Sequence, residues 1–137
     1  SYCDEKPSHD LEFVATLACG IHVLFVKNLP DRSQFLAKNS VGINVFASML
    51  MDCAGVFSLR SDILSIFYDP GGKTIAFNRA GSVFCNYFYF QQLHEKQLLA
   101  NPTADRADAL VYWWVILCHE LAHNLVEDHS SAHSYYT

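Results

Sequence analysis

The chain has 137 residues, of which 51% are hydrophobic and 17% charged, and it carries a formal net charge of −5. That composition suffices to bury a core and excludes a disordered chain, which combines low hydrophobicity with high charge. The nine Lys and Arg residues are scattered singly, so the chain lacks the basic face of a direct nucleic-acid binder.

Residues 1–8 are polar and predict no element. Residues 11–26 are apolar, and Leu11, Val14, Leu17, Ala18, Ile21 and Phe25 fit a helical stripe. Gly20 and the β-branched Ile21 and Val23 leave a strand open as the alternative for the second half. Asn28-Leu29-Pro30-Asp31 is a break. A second helix is predicted from about Ser33, with Leu36, Ile43, Phe46, Ala47, Leu50, Ala54 and Phe57 on one face. Gly42 weakens that helix without ending it.

The pattern then changes. Residues 62–68 predict a strand, 69–72 (Asp-Pro-Gly-Gly) a turn, and 74–78 the returning strand. Arg79-Ala80-Gly81 is another turn, and residues 82–90, rich in aromatics, predict a third strand. Together they read as an antiparallel meander. Residues 93–100 are a short helix or a loop. Asn101-Pro102-Thr103 is a helix start, followed by Asp105 and Asp108 near its positive end. Nothing breaks this helix before about Val126. Residues 109–118 are its longest wholly apolar run, too short to cross a bilayer. Apolar on all faces, that run is expected to pass through the core, with Trp113 and Trp114 buried.

The helix emerges into a histidine cluster. Four of the seven histidines are His119, His123, His129 and His133. His119 and His123 are four apart, so on a helix they stand one above the other and can share one zinc ion. Glu120 lies about 100° round from His119, beside the ion, where it can take a proton from an attacking water. Zinc lowers the pKa of water it binds to about 7. A catalytic zinc wants a third protein ligand. His129, six residues after His123, completes HExxHxxxxxH and is the first candidate; His133 and a residue beyond Thr137 are the alternatives. On a continuing helix His129 would be about 240° round and about 9 Å along from His123. The chain is therefore expected to leave the helix between them, with Asn124 or Asp128 able to take the terminating left-handed conformation. The plainer reading of the pair is a helix end whose histidines face solvent or cap carbonyls.

HELAHN followed by His129 and then Tyr135-Tyr136 resembles the WLM-type metalloproteases, relatives of the SprT proteases that cut proteins crosslinked to DNA. The resemblance covers about 18 residues at this motif. It implies His119, His123 and His129 as zinc ligands and Glu120 as general base. Glu127-Asp128 stand where those proteins have Gly-Pro, and Ser130 where they have Asp. The glycine of the metzincin motif would fall at Val126.

The expected architecture is thus α+β and zincin-like. Helices would pack on a small antiparallel sheet, with the HExxH helix near the C-terminus of a single domain spanning 1–137. The expected activity is that of a zinc metallopeptidase acting on protein or peptide substrates. Residues 82–90 would serve as the substrate-pairing edge strand, and Tyr135 or Tyr136 as an anchor or oxyanion donor. The alternatives are an inactive zincin-like domain that binds peptides within a larger protein, and a metal-free structural domain. The chain begins at Ser1 and ends at Thr137 in mid-pattern, so it is expected to be a piece of something longer; no signal-peptide pattern is visible. The five cysteines (3, 19, 53, 85, 118) are odd in number and form no CxxC. They predict no disulfide framework and a reducing, intracellular setting, cytoplasmic or nuclear. No membrane association is expected.

Overall fold

A computed structural model describes residues 6–103 and 105–136, and the side chains of these up to residue 124. Strands β1 (Leu11–Thr16) and β2 (His22–Val26) form an antiparallel pair, running from Leu11 opposite Val26 to Thr16 opposite His22. This pair replaces the helix predicted over residues 11–26. The β-branched Val14, Thr16, Ile21, Val23 and Val26 disfavour helix, and Gly20, at φ 98°, turns the chain between the strands. In β2 the burial alternates: Val23 and Phe25 are fully buried, while His22 faces out.

The second predicted helix forms, but as two: α1 (Arg32–Lys38) and α2 (Ser40–Val56). Asn39 divides them. Its side-chain amide donates to the Phe35 carbonyl at 3.0 Å, a local bond that competes with the helical ladder. α1 and α2 carry the chain from β2 to β3 (Leu64–Tyr68), which lies parallel to β2. Parallel neighbours need such a crossover.

The predicted meander does not form. β4 (Ala76–Arg79) and β5 (Ser82–Asn86) pair antiparallel, but β5 inserts between β3 and β4, parallel to β3. The sheet is therefore mixed, in the order β1-β2-β3-β5-β4, not the small antiparallel sheet expected. The cause is visible in two places. β3 is buried along its whole length, as suits a strand with neighbours on both edges. Asn86 then ties down the loop that carries the chain past β5. Its amide donates to the carbonyls of Asp69 (3.0 Å) and Thr74 (2.9 Å), and its oxygen accepts from the Asp69 N–H (3.1 Å).

Asn86 also ends β5 four residues before the predicted end of that strand. Its side chain accepts from the Phe88 N–H, capping the helix start of α3 (Tyr87–Phe90). A π-turn (Gln91–Glu95) and α4 (Lys96–Ala100) continue it, so residues 93–100 are helical.

α5 (Arg106–Tyr136) begins just beyond the predicted start. Ala109, Trp113, Leu117 and Glu120 form its fully buried stripe, at spacings of four, four and three. The helix does not run through the core on all faces as predicted. Val111 is 63%, Trp114 40% and Val115 54% exposed. Trp113 packs on Phe46 inside, with ring centroids 4.7 Å apart, whereas Trp114 stacks on Phe57 at the surface. Among the described residues no helix is long and apolar enough to cross a membrane. Cys53 and Cys85 are buried, Cys118 half-buried and Cys19 exposed, all as free thiols.

Candidate metal centre

α5 brings His119 and His123 together one turn apart. The His119 ring is exposed and that of His123 half-buried. Their centroids are 4.8 Å apart, and the two Nε2 atoms approach to 3.2 Å. This separation has a chemical meaning. Two imidazole nitrogens each about 2.05 Å from a zinc ion, at a tetrahedral angle, are about 3.3 Å apart. The Nε2 separation is close to that value, and it is equally that of a hydrogen bond between the two rings.

Glu120 is fully buried, on the side of α5 that meets β4 and β5. This departs from the expectation that Glu120 lies beside the ion: His119 faces solvent and His123 is half-buried, whereas the Glu120 carboxylate points inward and is fully buried. Among the described residues no third His, Cys, Asp or Glu joins the pair. The predicted third ligand His129, its rival His133, and Tyr135 and Tyr136 lie outside the described side chains. Their backbone is helical through Tyr136. The departure from the helix that a His129 ligand requires is thus not made, and Asn124, offered as a terminator, sits inside the helix.

Asn124 has another task, which the sequence reading missed. β4 and β5 are joined by the two-residue turn Ala80-Gly81, with Arg79 opposite Ser82. The Gly81 N–H donates to the Asn78 side-chain oxygen (3.3 Å), and its carbonyl accepts from the Asn124 amide (3.4 Å). The Asn78 amide donates to the Asn124 oxygen (2.7 Å) and also to the Glu120 backbone carbonyl (3.3 Å). Two asparagines from different elements and one turn glycine form a closed ring of hydrogen bonds. The ring locks the hairpin onto the turn of α5 that carries Glu120 and His123. The Asn of HELAHN, with an Asn one residue before a turn, was the available signal.

The edge strand beside α5 is β4. The expectation that residues 82–90 supply the edge is corrected: β5 is interior, and residues 87–90 are helical. Phe90 is core, whereas Phe84 and Phe88 are half-buried.

Of the remaining histidines, His9 and His22 are exposed and His94 is partly buried. His22 Nδ1 lies 2.9 Å from the Thr16 hydroxyl. His94, on the π-turn, accepts the Trp113 indole N–H at Nδ1 over 3.2 Å. Burial lowers the His94 pKa, against a smaller opposing pull from Asp108.

Comparison with known proteins adds no relative: no family model, no curated protein and no solved structure matches this chain.

Proposed function

We propose that this chain is a zinc-dependent metallopeptidase domain of zincin type, similar to the WLM and SprT proteases, acting on protein or peptide substrates inside the cell. The observation that carries the reading is the His119–His123 pair, whose Nε2 atoms stand 3.2 Å apart, next to the inward-facing Glu120. His119 and His123 would hold the ion, and a third ligand would come from later in the chain; His129 could supply it only if α5 opened between His123 and His129. When bound, zinc supplies an acidified water near neutral pH and polarises the scissile carbonyl. Glu120 would accept the proton of the attacking water and return it to the leaving amine, a role that requires its buried carboxylate to reach that water. β4, at the sheet edge, offers its open backbone side to an extended peptide.

The uninterrupted backbone of α5 favours a second reading, an inactive zincin-like domain that binds peptides, because a continuous helix turns residue 129 away from the pair. One experiment separates the two. Zinc content is measured by mass spectrometry on the purified chain and its His129→Ala, His133→Ala and Glu120→Gln variants, alongside cleavage of fluorescein-labelled casein. One zinc per chain, lost with His129 and retained in Glu120→Gln, together with casein cleavage abolished by Glu120→Gln, supports the peptidase. Zinc without cleavage supports the binding domain. No zinc after its addition overturns both.

A further inference from the structure

We infer that Asn78 and Asn124 are positioning residues that couple the β4–β5 hairpin to the metal-binding turn, so that zinc tightens the hairpin and the hairpin tightens zinc. The inference rests on the zinc reading above and deepens it. Four hydrogen bonds carry it. Asn124 immediately follows His123, and its oxygen takes the shortest of the four, 2.7 Å from the Asn78 amide. The Asn78 amide is shared with the backbone carbonyl of Glu120, 3.3 Å away. Gly81 closes the ring through its N–H and its carbonyl. Any rotation or translation of the 119–124 turn that improves ligation must therefore move the hairpin or break the ring.

The hairpin is poised to respond. Ala80 and Gly81 both have positive φ, 53° and 86°. A left-handed alanine is an unfavourable conformation that persists only where the surroundings impose it. Here the two-residue hairpin turn requires it, and the two asparagines hold that turn at Gly81. β4 is also the edge of the sheet formed by the described residues. The ring is thus the main polar link from the hairpin to α5 among the described residues. Linkage is reciprocal: whatever free energy zinc adds to the hairpin, the hairpin adds to zinc binding.

The test uses zinc alone, with no substrate. Hydrogen exchange at the Gly81 and Ser82 amides is followed with and without zinc, and zinc affinity is measured by competition with a chromogenic chelator. In the wild type, zinc should slow exchange at both amides at least tenfold. Asn78→Ala and Asn124→Ala should each abolish that response and weaken zinc several-fold, and the double variant should be no worse than either single one. Asn124→Asp, which keeps an acceptor for Asn78, should recover most of the affinity. In the cobalt(II)-loaded protein the visible absorption bands should change in Asn78→Ala, a ligand-field effect that loss of stability alone does not produce. Asn44→Ala, which removes an exposed side-chain bond to the Ser40 carbonyl, serves as the control and should change nothing.

Zinc affinity and hairpin exchange within twofold of wild type in both alanine variants would overturn the coupling while leaving the metal site standing. So would single effects that simply add. If the wild type binds no zinc, the metallopeptidase reading and the coupling to zinc fall together. Faster hairpin exchange in the metal-free alanine variants would then show the ring to be a purely structural clamp.

Discussion

Gly42→Ala tests whether the packing between α2 and the α3–π segment is understood. Gly42 lies in the first turn of α2, and from helix propensity alone alanine should stabilise the protein by up to about 1 kcal/mol. The structure reverses the sign. A methyl group there would overlap both the Glu95 carboxylate and the Tyr87 hydroxyl, which are hydrogen-bonded to one another. The Tyr87 ring is fully buried and held among Phe46, Phe90, Phe35 and Tyr68, so it cannot swing away. Burial and the Glu95 carboxylate push the Tyr87 pKa far above its ordinary value, so the phenol stays a neutral donor. Glu95 must then rotate out to water. Losing a hydrogen bond to a charged acceptor costs about 1.5–3 kcal/mol. Residual overlap with the fixed hydroxyl adds about 1–3 kcal/mol of strain. After a propensity gain of about 1 kcal/mol, a net loss of about 1.5–5 kcal/mol is expected, on the order of 10 °C in Tm. Urea and thermal unfolding followed by circular dichroism measure it. In a Tyr87→Phe/Glu95→Ala background the obstruction is gone, and the same substitution should stabilise by up to about 1 kcal/mol. A wild-type background in which Gly42→Ala raises stability would refute the argument.

Three further outcomes are expected. Zinc held at 100 times its dissociation constant should stabilise the protein by about 2.7 kcal/mol, and His119→Ala should abolish the shift; a shift that survives in His119→Ala would place the metal elsewhere. Stability should fall as pH drops below about 6.5, the unfolded value, because the lowered folded pKa of His94 leaves the unfolded chain binding the extra proton. That slope reaches at most about 1.4 kcal/mol per pH unit, ends below the folded pKa, and should be reduced in His94→Gln, which keeps an acceptor for Trp113; an identical pH profile would dismiss it. Ala80→Asn should stabilise by about 1 kcal/mol, since Asn-Gly suits a two-residue turn with positive φ at both positions, and a loss on chemical denaturation would contradict the turn assignment.

The juxtaposition of His119 and His123 was more legible than the sheet. His119, Glu120 and His123 are adjacent in sequence and need only helical periodicity, which a long apolar segment announces. The α+β class and most of the element positions were also readable. The strand order was not. The alternation within residues 62–90 does not distinguish a meander from an inserted hairpin, because the deciding contacts are side-chain bonds of Asn86 to Asp69 and Thr74, which periodicity does not reveal. Residues 11–26 misled for a different reason: over short lengths an apolar stripe fits both helical and strand spacing, and the β-branched content decides. The outward face of α5 misled as well, because Val111, Trp114 and Val115 are hydrophobic yet exposed.

The insertion of β5 between two earlier strands has a consequence for the order of folding. The β4–β5 hairpin is local and closes through a two-residue turn, a process of about 1–10 μs in isolation. The parallel pairings of β3 with β2 and with β5 join distant segments and must close larger loops, which is slower. The hairpin is therefore expected to dock on β3 as a preformed unit, with the loop before it latched by Asn86 on arrival. α5 follows all five strands in the chain, and until Trp113 and Leu117 pack into the core their side of it is uncovered. A nascent chain paused before residue 106 would present an open apolar surface to chaperones, and release from them would be timed by the same helix that carries the histidines.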